Sequence, residues 1–149
     1  MTKVLIHQPE FFPWINLFIK ISYCDLFVFL DSVQYAKRSF QNRNRILTKD
    51  GEKWLTVPIK KASRQSLIKD IEISYSYDWQ NKHLKLISNS YKKSINFNQV
   101  MPIIESIYSK KFSKLSELNA ETIKILCSQM GYKCNFAFSS NYDLKSNKS

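Results

Sequence analysis

Two short apolar runs, separated by a segment with helical spacing, form the first part of the chain. Val4–Ile6 is an apolar run that ends at His7-Gln8-Pro9, and Leu26–Leu30 is a second run that ends at Asp31. Between them, Pro13 suits the first turn of a helix. Apolar side chains then recur at helical spacing at Trp14, Leu17, Phe18 and Ile21. This pattern predicts a buried strand, a helix and a second strand, a βαβ unit whose strands usually pair in parallel.

The middle of the chain shows two further strand patterns. Lys53–Ile59 reads as a strand with Pro58 near its end, and Ile68–Tyr75 alternates apolar and polar residues. Between Ser32 and Lys49 the chain carries five positive charges, no acid and several amide side chains. That composition favours a mostly irregular functional loop over a regular element.

From Asp78 onward the apolar positions follow a helical period. The spacing predicts a helix capped by Asp78 with an apolar face at Trp79, Leu84, Ile87 and Tyr91. Val100–Tyr108 and Leu115–Met130 predict two more helices, the second capped by Ser113 and ended by Gly131. Cys134–Phe138 predicts a final short strand, and 139–149 is polar and is expected to be weakly structured.

These elements predict an α/β fold in which an N-terminal βαβ unit with a mixed sheet precedes a mainly helical half. The 149 residues contain no internal repeat and no linker, so we expect a single domain over 1–149. A chain of this length buries about 70% of the surface that its unfolded form exposes. No stretch is apolar for long enough to span a membrane, and the N-terminal apolar run is too short for a signal peptide.

The glycine count narrows the ways in which this chain can bind an anion. It has only two glycines, Gly51 and Gly131, which excludes both a P-loop and a dinucleotide-binding fingerprint. The net charge is nevertheless +11, which favours anionic partners, with a generally lysine-rich composition as the equally weighted alternative. The 19 lysines are scattered, whereas three of the four arginines, Arg38, Arg43 and Arg45, fall within eight residues. Since arginine binds oxyanions in a bidentate manner, this cluster is the stronger signal.

The cysteine and histidine residues do not form a metal-binding motif. The three cysteines, Cys24, Cys127 and Cys134, fit no zinc spacing, and there are only two histidines. We therefore predict no metal site and name no cofactor. The cysteines lie in apolar surroundings and are predicted to be packing residues, and unpaired thiols favour a reducing, cytoplasmic compartment.

The block from Arg38 to Ile46 is the densest polar segment of the chain. Its arginines and the amides of Gln41 and Asn42 suit a phosphate or carboxylate, and Phe40 or Tyr35 would stack on a base or sugar. A solvated basic loop is the alternative interpretation. The aromatic and basic composition would also suit single-stranded nucleic acid, but no RNA-recognition signature supports that partner.

His7 and Asp31 each follow a predicted strand. Ligands of parallel α/β sheets bind beyond the carboxyl ends of strands, so the two side chains are a candidate acid–base pair. In an equally weighted alternative, His7 caps the end of its strand and Asp31 caps a turn. His83 follows Trp79 by four residues on one helix face, where a core or surface role is favoured over a ligand contact.

Six segments of the chain resemble the WbqC-like family. They are His7-Gln8-Pro9, Phe12-Pro13-Trp14, Phe29-Leu30-Asp31 with Val33-Gln34-Tyr35, the run from Lys37 to Ile46, Trp54-Leu55-Thr56-Val57-Pro58, and Trp79 with His83. The resemblance implies a cytoplasmic bacterial enzyme of surface-polysaccharide (O-antigen or capsule) biosynthesis. It implies acyl or glycyl transfer to a nucleotide-linked amino sugar. Family members continue beyond the point where this chain ends, so we expect a domain shortened at its C-terminus.

Two classes of function follow. As a transferase, the protein would use His7 as general base, oriented by Asp31. The predicted substrate-binding residues are Gln8, Gln34, Tyr35, Arg38, Gln41, Asn42, Arg43, Arg45 and His83. The alternative is a non-catalytic accessory protein that binds an anion or nucleic acid. In a third, purely structural interpretation, the arginines bond carbonyls and Asp31 within their own loop. The sequence does not specify an oligomeric state.

Overall fold

A computed structural model describes residues 1–142 of the chain. Its strands are β1 (Val4–His7), β2 (Leu26–Phe29), β3 (Arg43–Thr48), β4 (Gly51–Thr56) and β5 (Asn135–Phe138). Its α-helices are α1 (Ile15–Ile21), α2 (Trp79–Tyr91), α3 (Phe97–Tyr108) and α4 (Leu115–Gln129). Short 3-10 helices span Ile68–Asp70 and Ser139–Asn141.

The βαβ unit and the predicted fold class are confirmed. β1 pairs in parallel with β2, with Val4 opposite Leu26, and β5 pairs in parallel with the other side of β2. Within residues 1–142 the order of this sheet is β1-β2-β5, and the antiparallel pair β3-β4 forms a separate two-stranded sheet. The carboxyl ends of three parallel strands therefore share one edge.

The prediction that β1 is buried is wrong for half of its side chains. Leu5 packs against the core of α1, β2 and α4, but Val4 and Ile6 are 51% and 58% exposed. β1 is at the edge of the sheet, and successive side chains of a strand point to opposite faces. The face that carries Leu5 is the one that packs against α1 and α4. Cys24 and Cys127 lie buried in this same core, as expected of packing residues.

A second core joins the β3-β4 hairpin to α2 and α3. Its buried members include Leu55, Trp79, Ile87 and Tyr108. The Asp78 cap of α2 is confirmed, because its carboxylate accepts a hydrogen bond from the Asn81 N–H at 3.3 Å. The cap of α4 is Lys114 rather than the predicted Ser113. Gly131 adopts a φ of +74°, the left-handed conformation expected of a glycine that ends a helix.

The second half of the predicted irregular loop is a strand. Arg43–Thr48 pairs with β4 so that Arg45 lies opposite Trp54. The turn contains Asp50 and Gly51, and Gly51 has a φ of +95°. An Asp-Gly pair is a strong hairpin signal, which the polar composition of the flanking residues obscured.

The predicted strand over Ile68–Tyr75 is also wrong. Its first residues form the 3-10 helix, and the rest make only isolated bridges, such as Ile73 to Ile59. The alternation nevertheless buries Ile71 and Ile73 in the second core. At the other end of the chain, Ser139 and Ser140 are anchored by hydrogen bonds to Asp31, contrary to the weak structure expected there. Residues 143–149 of that predicted polar tail lie outside the described residues.

Candidate functional site

A shallow cleft of about 450 Å³ opens beside the carboxyl end of β1. Two predicted site residues, His7 and Arg45, line it. The remaining lining residues are Glu10, Trp14, Asn16, Leu17, Lys20 and Phe40. We refer to it as the His7 cleft. Its volume lies within the range of small-molecule sites, and it combines an imidazole with cations, a carboxylate and two aromatic rings.

The His7 imidazole is oriented by its own loop. Its Nδ1 lies 2.8 Å from the carbonyl oxygen of Gln8. A carbonyl oxygen only accepts hydrogen bonds, so Nδ1 carries the proton in this contact. In the neutral ring the lone pair is then on Nε2, which is the arrangement that a general base requires.

Asp31 has other partners. Its buried carboxylate accepts hydrogen bonds from the Ser139 hydroxyl at 3.0 Å, the Ser140 N–H at 2.9 Å and the Ser140 hydroxyl at 2.7 Å. Among the described residues no hydrogen bond joins Asp31 to His7. The observed contacts therefore make Asp31 a connection between the ends of β2 and β5, and its predicted catalytic role stays a prediction.

Amide side chains hold the loop after β1 against the arginine-rich block. Gln41 donates from Nε2 to Oε1 of Gln8 at 2.7 Å and accepts the Ala36 N–H at 3.1 Å. Asn119, fully buried on α4, donates to the carbonyls of Pro9 at 3.1 Å and Gln41 at 2.8 Å. Gln8 and Gln41, both predicted to bind substrate, thus fix the shape of this region.

Asn44 supports a strained turn at the start of the helix that follows β1. Phe12 has a φ of +44°, a left-handed conformation that costs a non-glycine residue on the order of 1 kcal/mol or more. The buried Asn44 amide donates to the Phe12 carbonyl at 2.6 Å, and its oxygen accepts the Arg45 N–H at 2.8 Å. Asn44 was not predicted as a site residue, although it lies within the block that was.

Two of the three arginines of the block lie against one indole. The guanidinium carbons of Arg43 and Arg45 lie 4.2 and 5.3 Å from the centre of the Trp54 ring, and Phe40 contacts the same indole. Arg45 also pairs with Glu52 at 2.6 Å, where both side chains are exposed to solvent. Arg43 donates to the Arg38 carbonyl at 2.5 Å. This contact fulfils part of the structural interpretation, since one arginine does bond a carbonyl of its own loop.

The other predicted binding residues are dispersed around this cluster. Arg38 is exposed and has a φ of +58°. Asn42 is buried and donates to the Val57 carbonyl at 3.1 Å, while Gln34 donates to the Arg64 carbonyl. Tyr35 is buried, and burial raises the pKa of its phenol despite the opposing charge of Arg43.

His83 lies in the second core. Its Nδ1 is 3.1 Å from the Tyr108 hydroxyl, and the Trp79 ring packs against it at 5.3 Å. Burial lowers the pKa of His83 to about 4, although a hydrogen bond to the Thr56 backbone acts in the opposite direction. The imidazole is therefore neutral near pH 7, and the structure places it in the packing interior rather than in the His7 cleft.

A second cavity, of about 380 Å³, shares Arg45 with the His7 cleft. It lies between the β3-β4 hairpin, α2 and α3. Its apolar lining residues are Phe11, Phe12, Ile46, Leu55, Ile87, Phe97, Val100, Met101 and Ile104. The polar ones are Asn44, Arg45, Tyr91, Ser94 and Asn96. We call it the apolar cavity, and no sequence pattern predicted it.

The model of the WbqC-like protein family matches residues 8–149 of the chain. The protein belongs to this family. It is also 33% identical over 150 residues to a protein of Mycobacterium tuberculosis named "Uncharacterized protein Rv1507c". That alignment covers 99% of this chain and 64% of the relative, so the chain spans less than two thirds of the relative's length. No solved structure matches the chain.

In this WbqC-like chain, the segments that carried the resemblance divide into two groups. Some supply the His7 cleft, as His7, Trp14 and Phe40 do, and others build its support, as Gln8 and Gln41 do. Lys20 and Glu10 were missed because nothing in the local sequence distinguishes them. Within residues 1–142 there is no cluster of three or more potential metal ligands and no helix long and apolar enough to cross a membrane.

Proposed function

We propose that this protein transfers an acyl or aminoacyl group to the amine of a nucleotide-linked amino sugar. The biological setting that the family resemblance implies is the biosynthesis of a bacterial surface polysaccharide. One observation carries the proposal: the His7 cleft places an imidazole with an available Nε2 in the same depression as two cations and two exposed aromatic rings.

The charges of the cleft suit the diphosphate of an activated sugar. Lys20 projects from α1, and Arg45 projects from β3. Cations from two separate elements, in a chain of net charge +11, can contact an anion from two sides. The N–H groups of Arg45 that its ion pair with Glu52 does not use are available to phosphate oxygens.

The aromatic residues suit the nucleoside part. Trp14 is 58% exposed and Phe40 is 38% exposed, although both belong to residue types that a protein usually buries. An exposed ring in a concave site offers a surface on which a base or a sugar stacks. Asn16 and Glu10 supply polar groups of the kind that bind sugar hydroxyls.

The chemistry assigned to His7 is proton transfer. The sugar amine attacks the carbonyl carbon of an activated acyl donor, such as an ester or thioester, and a C–N bond forms. His7 Nε2 removes the proton that the amine nitrogen gives up. The bond from the carbonyl carbon to the donor's oxygen or sulfur then breaks, and the proton passes from Nε2 to that leaving atom. The products are an amide and an alcohol or thiol, so atoms and charges balance.

Calorimetric titration with a nucleoside diphosphate and a nucleotide-linked amino sugar tests the binding half of the proposal. We expect Lys20→Ala and Arg45→Ala each to weaken binding at least tenfold, because each removes a charged hydrogen-bonding group worth roughly 1.5–3 kcal/mol. Lys69→Ala and Arg64→Ala are matched controls, because both side chains are exposed and lie outside the cleft. Equal affinities in all four variants would reject the proposed site.

Mass spectrometry of the sugar after incubation with an acyl or aminoacyl thioester tests the reaction half. We expect the amino sugar to gain the mass of the acyl group, and His7→Gln to abolish this gain while nucleotide affinity is retained. Binding without any transfer would support the accessory-protein alternative instead. Polynucleotide binding that weakens steeply with salt, with no preference for a nucleotide sugar, would indicate a nucleic-acid-binding protein.

A further inference from the structure

Two cysteines that are distant along the chain meet at one edge of the parallel sheet. The Sγ atoms of Cys24 and Cys134 lie 3.4 Å apart, although 110 positions separate the two residues. Cys24 comes shortly before β2, and Cys134 directly precedes β5. Because β2 and β5 pair in parallel, both thiols lie at the amino ends of the strands. His7, at the carboxyl end of β1, belongs to the opposite edge.

Hydrogen bonds fix the backbone next to this pair. The Asn135 N–H donates to the Asp25 carbonyl at 2.9 Å, and these two residues directly follow the two cysteines. The Cys24 N–H donates to the Ile21 carbonyl at the end of α1, at 3.1 Å. Neighbouring strands lie about 4.8 Å apart, and a disulfide joins residues whose Cα atoms are roughly 4.4–6.8 Å apart. Strand pairing thus provides the spacing that a disulfide requires.

A bond between the two sulfur atoms needs only a small movement. The S–S bond of a disulfide is about 2.05 Å long, so each Sγ atom has to move by about 0.7 Å. Two groups that already touch react with each other far more readily than with a dissolved molecule. An intramolecular disulfide is therefore favoured over a lasting bond from either cysteine to a small thiol.

The three thiols differ in their exposure to solvent. Cys134 is partly exposed, whereas Cys24 is 8% exposed and Cys127, on α4, is 1% exposed. A dissolved oxidant therefore reaches Cys134 first, and Cys24 is the thiol in contact with it. Burial raises the pKa of the Cys134 thiol to about 12, and the hydrogen bond with Cys24 acts in the same direction. Little thiolate is present near pH 7, so oxidation requires sustained exposure to the oxidant.

We propose that Cys24 and Cys134 are a reversible oxidation site that forms an intramolecular disulfide by exchange with a low-molecular-weight disulfide. The Cys134 thiolate attacks one sulfur of the dissolved disulfide, and the first small thiol leaves and takes up a proton. The Cys24 sulfur then attacks the Cys134 sulfur, which breaks the bond to the second small thiol, and that thiol takes the proton of Cys24. Two protein thiols lose two electrons and the dissolved disulfide gains them, so atoms and electrons balance.

The disulfide would anchor a strand at the edge of the sheet. Within residues 1–142, β5 pairs with β2 alone, and the contact of Ser139 with Asp31 holds its carboxyl end. The bond between Cys24 and Cys134 would hold its amino end. A cross-link between positions so far apart strongly restricts the unfolded chain, so we expect the oxidised protein to be more stable than the reduced one.

The primary test incubates the unmodified protein with an excess of glutathione disulfide, alkylates the remaining thiols and analyses the product by mass spectrometry. We expect one alkylated thiol, at Cys127, a cross-linked pair of peptides that contains Cys24 and Cys134, and no bound glutathione. Dithiothreitol should restore three alkylated thiols. Three alkylated thiols after sustained incubation, a cross-link that includes Cys127, or a disulfide between two copies of the chain would overturn the proposal.

Single substitutions test the order of the two steps. Cys24→Ser removes the second sulfur, so glutathione should remain bound to Cys134. Cys134→Ser removes the accessible thiol, so Cys24 should stay reduced. Cys127→Ala is the matched control and should form the same cross-link as the unmodified protein. Equal amounts of bound glutathione in Cys24→Ser and in the unmodified protein would overturn the role of Cys24. If a variant does not fold, as circular dichroism would show, the peptide map of the unmodified protein still decides.

Urea unfolding of the reduced and oxidised forms measures the effect on stability. We expect the midpoint of the unmodified protein to rise by about 1 M or more on oxidation. Cys24→Ser should show no such rise, because it cannot form the cross-link. Equal midpoints of the two forms of the unmodified protein would overturn the anchoring of β5.

Titration of both forms with a nucleoside diphosphate separates this inference from the proposed function. The thiols and the His7 cleft lie at opposite edges of the sheet, so the affinity should be the same in the two forms. A disulfide that forms in a protein without nucleotide binding would support this inference and reject the proposed function. Nucleotide binding with three unreactive thiols would retain the proposed function and overturn the inference.

Discussion

The guanidinium of Arg43 stacks on the indole of Trp54, with its central carbon 4.2 Å from the ring centre. The two residues occupy neighbouring strands of the β3-β4 hairpin, and Arg45 approaches the same ring. Trp54 is 45% exposed, so its ring supports the arginines at the surface rather than packing in a core. The indole thus helps to set the direction in which the two cations are presented.

Trp54→Leu tests this support. Each cation–π contact at an exposed site is worth about 0.5–1 kcal/mol, so loss of both contacts should weaken nucleoside diphosphate binding roughly tenfold. Calorimetric titration measures the effect. Tyr23→Leu is the control, because Tyr23 is 72% exposed and lies outside the cleft. An unchanged dissociation constant for Trp54→Leu would show that the arginines do not need the indole.

Asn44→Ala is expected to destabilise the protein by about 3 kcal/mol. The substitution leaves the Phe12 carbonyl and the Arg45 N–H without partners and releases a turn held at a left-handed φ. Urea unfolding followed by fluorescence measures the change. Asn89→Ala, on the exposed surface of α2, should shift the free energy of unfolding by no more than about 0.5 kcal/mol. Similar values for the two variants would contradict the role given to Asn44.

Asp31→Ala separates a structural role from a catalytic one. Its carboxylate accepts three hydrogen bonds from Ser139 and Ser140, so we expect a loss of about 2–4 kcal/mol in the free energy of unfolding. Nucleotide affinity, measured at a temperature where the variant is folded, should be unchanged. Ser140→Ala should reproduce a smaller part of the destabilisation. A stable variant with lost transfer activity would instead restore Asp31 as the partner of His7.

The lowered pKa of the buried His83 predicts that the stability of the protein depends on pH. Its pKa is lowered to about 4 in the folded protein, against about 6.5 in the unfolded chain, so between these values the unfolded state binds more protons. The contribution of the buried neutral His83 to the free energy of unfolding is therefore fully present above pH 6.5. It declines as the pH falls and is lost below pH 4. The loss is on the order of 3 kcal/mol. Chemical denaturation over this pH range measures it.

His83→Gln should flatten the slope between pH 6.5 and 4, because glutamine does not titrate there. His7→Gln is a matched control, since the chain has only these two histidines and His7 is half-buried at the cleft. The burial argument requires His83→Gln to flatten the slope more than His7→Gln does. If His7→Gln flattened the slope and His83→Gln did not, the burial argument for His83 would be wrong.

Local patterns predicted the elements, but not the contacts that join distant segments. The βαβ unit and the helices follow from apolar periodicity, and Asp78 is a cap that its neighbours identify. The partners of Asp31 come from more than one hundred positions away, at Ser139 and Ser140, and no local signal predicts such a contact. The lining of the His7 cleft was hard to predict for the same reason. Nothing local distinguishes Lys20 from other surface lysines until α1 is placed beside β1.

The arginine-rich block shows where composition misleads. Its polar residues suggested a loop, yet alternate positions of β3 have different environments: Asn44 is buried and Arg45 exposed. Buried amides replace the apolar side chains by which strands are usually recognised, because the strand must satisfy carbonyls of the neighbouring turn. The Asp-Gly turn was the signal that would have revealed the hairpin.

Because Arg38 has a left-handed backbone conformation, selection for thermal stability and selection for ligand affinity should favour different residues at this position. At a φ of +58° a glycine or asparagine would relieve strain, so a selection for thermal stability should enrich these residues at the position. The carbonyl that Arg43 needs would remain, since every residue supplies one. A selection for ligand affinity should keep the arginine if its exposed guanidinium contacts the bound molecule. Sequencing the two selected populations would therefore show whether arginine at position 38 is retained for ligand binding although its backbone conformation is unfavourable.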